Sequence, residues 1–254
     1  MRFVKSVLLV IFSLAFLPAT FIAQELDPII HKADSLYAEY QEEQSLELYD
    51  QVLEQEPDHY KALWRSSFLY SRIGNRLDEE ANQEDYFNRA IELAEKALAV
   101  DSTDSQSNFV MSVAMGRKAL ISGARDRVAA SRAIKKYADR AISYDSTNAG
   151  AWHVLGRWHF KVANLSWVER LAANTLFGGV PGNASNEKAA EYIEKAISLE
   201  GQYARYYYDL ARVYEELGRD KQAIETCQAA IDLPVLTVDD MEIKNQCHQL
   251  IGDI

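Results

Sequence analysis

Short stretches with apolar residues at three- and four-residue spacing follow one another along the chain, each closed by an alanine-rich block of recurring sequence. Ala94, Ala97, Asp101 and Thr103 return 44 residues on as Ala138, Ala141, Asp145 and Thr147. Glu194-Lys-Ala196-Ile-Ser-Leu199 returns as Gln228-Ala-Ala230-Ile-Asp-Leu233, an offset of 34. A degenerate copy runs from Asp50 to Pro57. Spacing of three and four predicts amphipathic helices. A repeated helical pair buries its apolar face only by stacking on its neighbours. The pattern therefore predicts an all-α solenoid of about five helical hairpins, starting near Leu26, Tyr60, Asp104, Ala149 and Ala204. The first and last units have the standard length, and the middle three exceed a 34-residue period by about 10, 11 and 21 residues. Arg76 to Asp85 carries the first excess, and Ser122-Gly123-Ala124 marks a break in the second. The third is a long insertion over 162–185. Past the last unit, Thr237 is placed to N-cap a final helix, with Asp240 three residues on. That helix would cap the apolar end of the stack.

Two blocks give the packing. Trp152-x2-Leu155-Gly156 and Tyr207-x2-Leu210-Ala211-x2-Tyr214 put a small residue behind an aromatic and a leucine. Gly156 and Ala211 let a first helix lie against the second, where Ala189 and Ala223 sit. Trp152, Leu155, Tyr207 and Leu210 are expected to fill the hairpin core. These residues resemble the tetratricopeptide repeat (TPR), and the resemblance implies a right-handed superhelix of hairpins.

The insertion is the most distinctive segment. Ser166 and Glu169 read as a capping box, starting a short helix to about Phe177 that Gly178-Gly179 stops and Pro181-Gly182 turns back. Leu165, Val168, Leu171 and Ala172 form one stripe, and Trp167, Arg170 and Phe177 are its candidate contact residues. Such a stripe packs on its own repeat, covers a groove as a lid, or touches a membrane. Leu155-Gly-Arg-Trp158, Leu165-Ser-Trp167, Glu169-Arg170, Phe177-Gly178 and Pro181 resemble the regulator of microtubule dynamics family, across about residues 30 to 250. That resemblance implies a TPR-like domain with links to microtubules and, in some members, to organelle contacts and lipid handling.

The N-terminus changes the setting. Arg2 and Lys5 precede an apolar run from Val7 to Leu17, and Pro18 and Ala23-Gln24 follow. This is the plan of a secretory signal peptide over residues 1–23, with cleavage expected after Ala23. The mature TPR-like domain is then 24–254, periplasmic or secreted; an uncleaved signal would anchor it to a membrane. An export signal departs from a cytosolic microtubule role. Cys227 and Cys247, the only cysteines, permit a disulfide in an exported chain; both also fit an apolar stripe as small buried residues.

Charge narrows the partners. With 27 Lys+Arg against 38 Asp+Glu the chain carries −11, which excludes nucleic acid as an expected partner. The outward positions of each first helix nevertheless collect aromatic and basic residues: Trp64, Phe68 and Arg72; Asn108, Ser112 and Met115; His153, Arg157, Phe160 and Lys161; Tyr208, Arg212, Glu215 and Glu216. An arginine fork pairs a carboxylate or phosphate, and neighbouring aromatics hold an apolar body. The expected ligand is a protein or peptide partner in a concave groove, with a phospholipid or similar amphipathic anion as the alternative. Two further readings stay open: Arg157 bound to a buried acid and fixing the insertion, and a scaffold whose groove is blocked by its own side chains. No cofactor and no metal are expected. None of His31, His59, His153, His159 and His248 pairs at the i, i+4 spacing of a helical metal site, and no Walker A, Gly-x-Ser-x-Gly or Cys-x-x-Cys motif occurs. The chain is therefore read as non-enzymatic.

Overall fold

The computed structural model describes residues 19–176, 179 and 182–254. Its described secondary structure is helical: α1 (Ala19–Ala38), α2 (Glu42–Gln55), α3 (Tyr60–Gly74), α4 (Glu80–Val100), α5 (Ser105–Leu120), α6 (Ala124–Tyr144), α7 (Ala149–Ala163), α8 (Trp167–Leu176), α9 (Asn186–Leu199), α10 (Ala204–Glu216), α11 (Asp220–Asp232) and α12 (Asp240–Asp253). The hairpins are α1/α2, α3/α4, α5/α6, α7/α9 and α10/α11, with each second helix packed on the next first helix and α12 on α11. This is the five-unit TPR-like solenoid that the periodicity predicts. The expected cleavage position after Ala23 falls within α1, and the earlier part of the expected signal lies outside the described residues.

The recurring block has a local cause. Asp101 Oδ1 accepts from the Thr103 amide and hydroxyl, both at 2.8 Å, and from the Asp104 amide at 3.1 Å. Asp145 and Thr147 repeat the turn at 2.8 and 2.6 Å. The next helix then starts on a capping side chain, Asp104 onto the Gln106 amide and Asn148 onto the Ala151 amide. Small residues let the paired helices close. A Cβ at Gly156 would stand 2.6 Å from Ile193 Cγ1 and 3.1 Å from the Ala189 carbonyl oxygen. At the equivalent place in the second unit, Ser67 is fully buried and donates to the Ala90 carbonyl at 2.8 Å.

Three expectations need correction. Leu155 and Leu210 are buried, but Trp152 and Tyr207 are only partly so. Their polar tips instead hold the preceding turn: the Trp152 indole donates to the Ser146 carbonyl at 2.9 Å and the Tyr207 hydroxyl to the Gly201 carbonyl at 2.8 Å. Tyr206, not Tyr207, fills the hairpin core. Thr237 does not cap with its hydroxyl; it donates to Asp240 Oδ1 at 2.8 Å, while Asp240 Oδ2 reaches back to the Leu236 and Thr237 amides. The excess after Arg76 is mostly helix, because α4 begins at Glu80 and runs 21 residues.

In the insertion, the capping box forms as expected. Glu169 accepts from the Ser166 amide at 2.9 Å, and the Ser166 hydroxyl oxygen accepts from the Glu169 amide at 3.3 Å. Helix α8 ends at Leu176, and the Gly179 amide, on a residue with φ of +79°, donates to the Ala173 carbonyl. Phe177, Gly178 and Pro181 lie outside the described residues, and the Trp167 side chain is likewise undescribed. Among the described residues no helix is long and apolar enough to cross a membrane.

Candidate functional site

The first helices line up along the stack, α3 beside α5, α5 beside α7 and α7 beside α10. The two ends of the chain meet there. Arg72 on α3 is only 8% exposed. Its guanidinium pairs with Glu42 of α2 at 2.7 Å and with Asp239, just before α12, at 3.2 Å, and it also donates to the Tyr203 hydroxyl at the start of α10. Arg76 adds Glu42 at 2.7 Å and Asp239 at 3.8 Å. Burial opposes the Arg72 charge, but Tyr203, Glu42, Tyr37 and Asp239 outweigh it and hold its pKa above the usual value. Arg72 is therefore a clasp between units far apart in sequence, and that end of the groove is filled by side chains. The expectation that Arg72 is free to bind a ligand is corrected: its charge is already matched.

Asn108 and Ser112 are corrected too. Both are fully buried. Asn108 donates to the Ser102 and Asp104 carbonyls at 3.0 and 2.9 Å, and Ser112 to the Phe109 carbonyl at 2.6 Å, so they stabilise α5 and its preceding turn. Met115, like Trp64, Phe68 and Phe109, packs half-buried against the core of Ala94, Val110 and Met111. The Phe68 and Phe109 rings lie 5.5 Å apart. Trp64 is covered on one face by Arg65, whose guanidinium also sits 4.1 Å from the Tyr37 ring. Among the described residues Arg65 Nε has no hydrogen-bond partner.

A different arrangement occupies the α5–α7–α10 end. Asp209 on α10 accepts from His153 Nε2 at 2.7 Å and lies 3.4 Å from Arg157, both on α7. Burial raises the Asp209 pKa, but Arg157, His153 and Arg205 overcome it and hold this carboxyl well below the usual range. Burial lowers the His153 pKa against the pull of Asp209, so the ring is neutral at pH 7 and donates its proton to the carboxylate. The other face of His153 packs on the Tyr206 ring at 4.5 Å, and no nucleophile is hydrogen-bonded to it among the described residues. The reading of Arg157 as bound to an acid holds in its first half. The insertion is fixed by another residue: Arg170 donates to the Val162 and Ala163 carbonyls at 2.9 and 3.1 Å.

Near Asp209 stand cations that have no carboxylate of their own among the described residues. Lys161, one turn beyond Arg157, has its pKa lowered by burial and by Arg157 and Arg212. Arg205, one turn before Asp209, lies 5.7 Å from the Tyr208 ring. Arg117, in the last turn of α5, donates only to the neutral Asn75 side chain at 2.7 Å. Burial, then the charges of Arg157, Arg205 and Arg72, pull its pKa down to about 10. Arg212 pairs with Glu215 in its own helix at 3.1 Å and so stays at the rim. Phe160 is half-buried beside the wall. Sequence spacing found His153, Arg157, Phe160 and Lys161 but missed Arg117, Arg205 and Asp209. The i, i+4 spacing of Arg205 and Asp209 was the signal available. Two shallow clefts of about 390 and 350 Å3 open elsewhere, along α9, and share Glu194 and Ser198. No cluster of three or more metal-binding side chains occurs among the described residues.

Comparison with known proteins supports the same architecture. A family model described as regulator of microtubule dynamics protein 1-3 matches residues 29–254. Regulator of microtubule dynamics protein 3 of Xenopus laevis is 25% identical over 232 residues, covering 90% of this chain and 50% of that one. Regulator of microtubule dynamics protein 2 of Rattus norvegicus is 24% identical over 231 residues, covering 91% and 56%. The chain thus spans about half the length of these curated relatives. Among solved structures, a thermophilic TPR protein of Thermus thermophilus superposes with a TM-score of 0.65, covering 89% of this chain and 99% of that one at 15% identity. That likeness shows the fold.

Proposed function

The chain belongs to the regulator of microtubule dynamics protein 1-3 family, and from that membership we propose a non-enzymatic scaffold that holds a segment of a protein partner in its inner channel. One observation carries the reading. Half-buried aromatic and cationic side chains of α7 and α10 gather around one carboxylate, Asp209, in a chain that is −11 overall. Surface aromatics and arginines are the side chains that supply most binding energy in protein recognition. The Arg72 clasp leaves the α5–α7–α10 end as the place for a ligand. With the leader expected over residues 1–23, we place the scaffold outside the cytoplasm. The relatives are named for microtubule dynamics; what this chain shares with them is the solenoid of residues 29–254.

Partner capture from the native envelope fraction tests this. Arg157→Glu reverses a charge on the wall, where the side chain is 32% exposed, and Arg125→Glu reverses an exposed charge on α6. A partner retained by wild type and by the α6 variant but lost by Arg157→Glu is the expected result. Identical protein sets from all three chains overturn the channel as the binding site. A co-purifying amphipathic molecule released by Arg157→Glu, with no protein partner, replaces the scaffold with a small-molecule carrier.

A further inference from the structure

Several cations of this protein each face a carboxylate of their own among the described residues. Lys61 has Asp34, Arg72 has Glu42 and Asp239, Arg76 has Glu42 and Glu43, and Lys118 has Glu84. Three neighbouring first helices instead gather cations around one carboxylate: Arg157 lies 3.4 Å from Asp209, Arg205 stands one turn before it, Lys161 stands one turn beyond Arg157, and Arg117 on α5 feels the charges of Arg157 and Arg205. The spacing fixes their common face. His153, Arg157 and Lys161 follow at i, i+4 on α7, and Arg205 and Asp209 at i, i+4 on α10, so each row lies along one side of its helix. His153 adds no charge at neutral pH because burial lowers its pKa, and its proton is spent on Asp209. Four cations against one carboxylate leave a local surplus of three.

We propose that Arg117, Arg157 and Arg205 receive one doubly charged oxyanion, a phosphate monoester group carried by the partner segment. This deepens the channel-binding reading above and rests on it. A phosphate monoester carries −1.5 to −2 at pH 7 and three acceptor oxygens, about the charge the surplus can accept. Guanidinium groups meet such oxygens in forked pairs, and Arg117 has four of its five N–H donors without a hydrogen-bond partner among the described residues. A singly charged carboxylate would leave two cations unmatched. Half-buried Tyr208 and Phe160 flank the cluster and suit the chain that bears the phosphate. Arg117 also feels the charge of Arg72, and the cluster is built from side chains of three helices with Tyr208 and Phe160 beside it, contacts that suit a peptide, the carrier proposed.

The test uses inorganic phosphate as the probe, read by titration calorimetry and thermal unfolding, with chloride at equal ionic strength as reference. Wild type and exposed control Arg125→Gln are expected to bind phosphate saturably. Arg117→Gln and Arg205→Gln are each expected to weaken that binding at least about tenfold, the loss of one charge-assisted pair. Without phosphate, Arg117→Gln is expected to melt no lower than wild type, because it removes a repelled charge; a packing role alone would lower it. Phosphate binding equal in all four chains, or absent from wild type, overturns the assignment. The two readings fail separately. A partner lost from Arg157→Glu but not displaced by phosphate or by phosphatase treatment keeps the channel and rejects the phosphate. Phosphate binding with no captured partner keeps the site and rejects the scaffold. Capture of anionic phospholipid vesicles in place of phosphopeptide overturns the peptide carrier.

Discussion

Replacing Arg72 by methionine keeps most of the volume at the clasp and removes its charge. The residue is 8% exposed and joins Glu42, itself 3% exposed, to Asp239 and Tyr203. Removing one partner of a buried ion pair costs about 3–5 kcal/mol, because the other charge is left unmatched. Here Arg76 stays 2.7 Å from Glu42, so the lower end applies and a loss of about 3 kcal/mol is expected. Arg76 is 20% exposed on its side chain, and Arg76→Met should cost less, about 1–2 kcal/mol. Asp239 is 28% exposed on its side chain, and the Arg72→Met, Asp239→Asn cycle should give a coupling of about 1 kcal/mol. Urea unfolding followed by far-ultraviolet circular dichroism supplies each free energy, since stability falls linearly with denaturant. The clasp also predicts a change in form. A solenoid held only by neighbour contacts unfolds unit by unit, whereas contacts from α3 to Tyr203 and Asp239 tie the ends together. Wild type should therefore unfold in one transition, and Arg72→Met should broaden it or split it. A loss under about 1 kcal/mol with an unchanged transition would refute the clasp.

Three other outcomes follow from single sites. Gly156→Ala would push a Cβ to 2.6 Å from Ile193 Cγ1 and 3.1 Å from a backbone oxygen, so thermal melts should show a net loss of about 1–2 kcal/mol despite better helix propensity; Gly116→Ala, with open space around it, should gain up to about 1 kcal/mol, and equal effects would contradict the close approach. His159 is 3% exposed between the Trp158 and Tyr192 rings, and burial, with Lys188 and Lys135, lowers its pKa to about 4. The unfolded chain binds this proton more readily, so stability is full above about pH 6.5 and falls as pH drops toward 4, by about 3 kcal/mol for this one group; His159→Phe should flatten that part of the pH–stability curve, and an unchanged slope would contradict it. Cys227 and Cys247 are both fully buried in one cluster, and each thiol shifts the proton affinity of the other, Cys227 downward and Cys247 upward. Oxidised glutathione should convert them to a disulfide, the two thiols giving two protons and two electrons to the oxidant, which leaves as two reduced glutathiones, and should raise stability by about 3 kcal/mol for the loop it closes; two thiols still alkylated after unfolding would exclude the bridge.

What the sequence shows of this fold is whatever neighbouring residues decide. Helical spacing sets each hairpin, the Asp-Ser-Thr turn ends second helices, and Gly156 marks a close approach; all three are read within one or two units. Ser166 and Glu169 cap α8 for the same reason. The clasp was not legible, because Arg72 finds Tyr203 and Asp239 at separations of 131 and 167 residues. Spacing says which side of a helix faces outward from its own hairpin. It does not say how far successive hairpins rotate. That rotation turns Arg205 and Asp209 inward and leaves Arg212 at the rim with Glu215. Asn108 misled the reading for a local reason: a short amide at the start of a helix satisfies backbone carbonyls as readily as it binds a ligand. Trp152 and Tyr207 read as core because aromatics usually fill it, yet each has a polar tip that a nearby turn carbonyl can use.

The central claim is that a partner segment lies along the wall formed by α5, α7 and α10. A photo-crosslinking amino acid placed at Phe160, on that wall, and another at exposed Val100 at the end of α4, each in the source cells, decide the matter. One protein partner should crosslink from position 160 and not from position 100, with the yield lost when Arg157→Glu is added. Equal crosslinking from both positions, or a yield from position 160 that Arg157→Glu leaves unchanged, would contradict it.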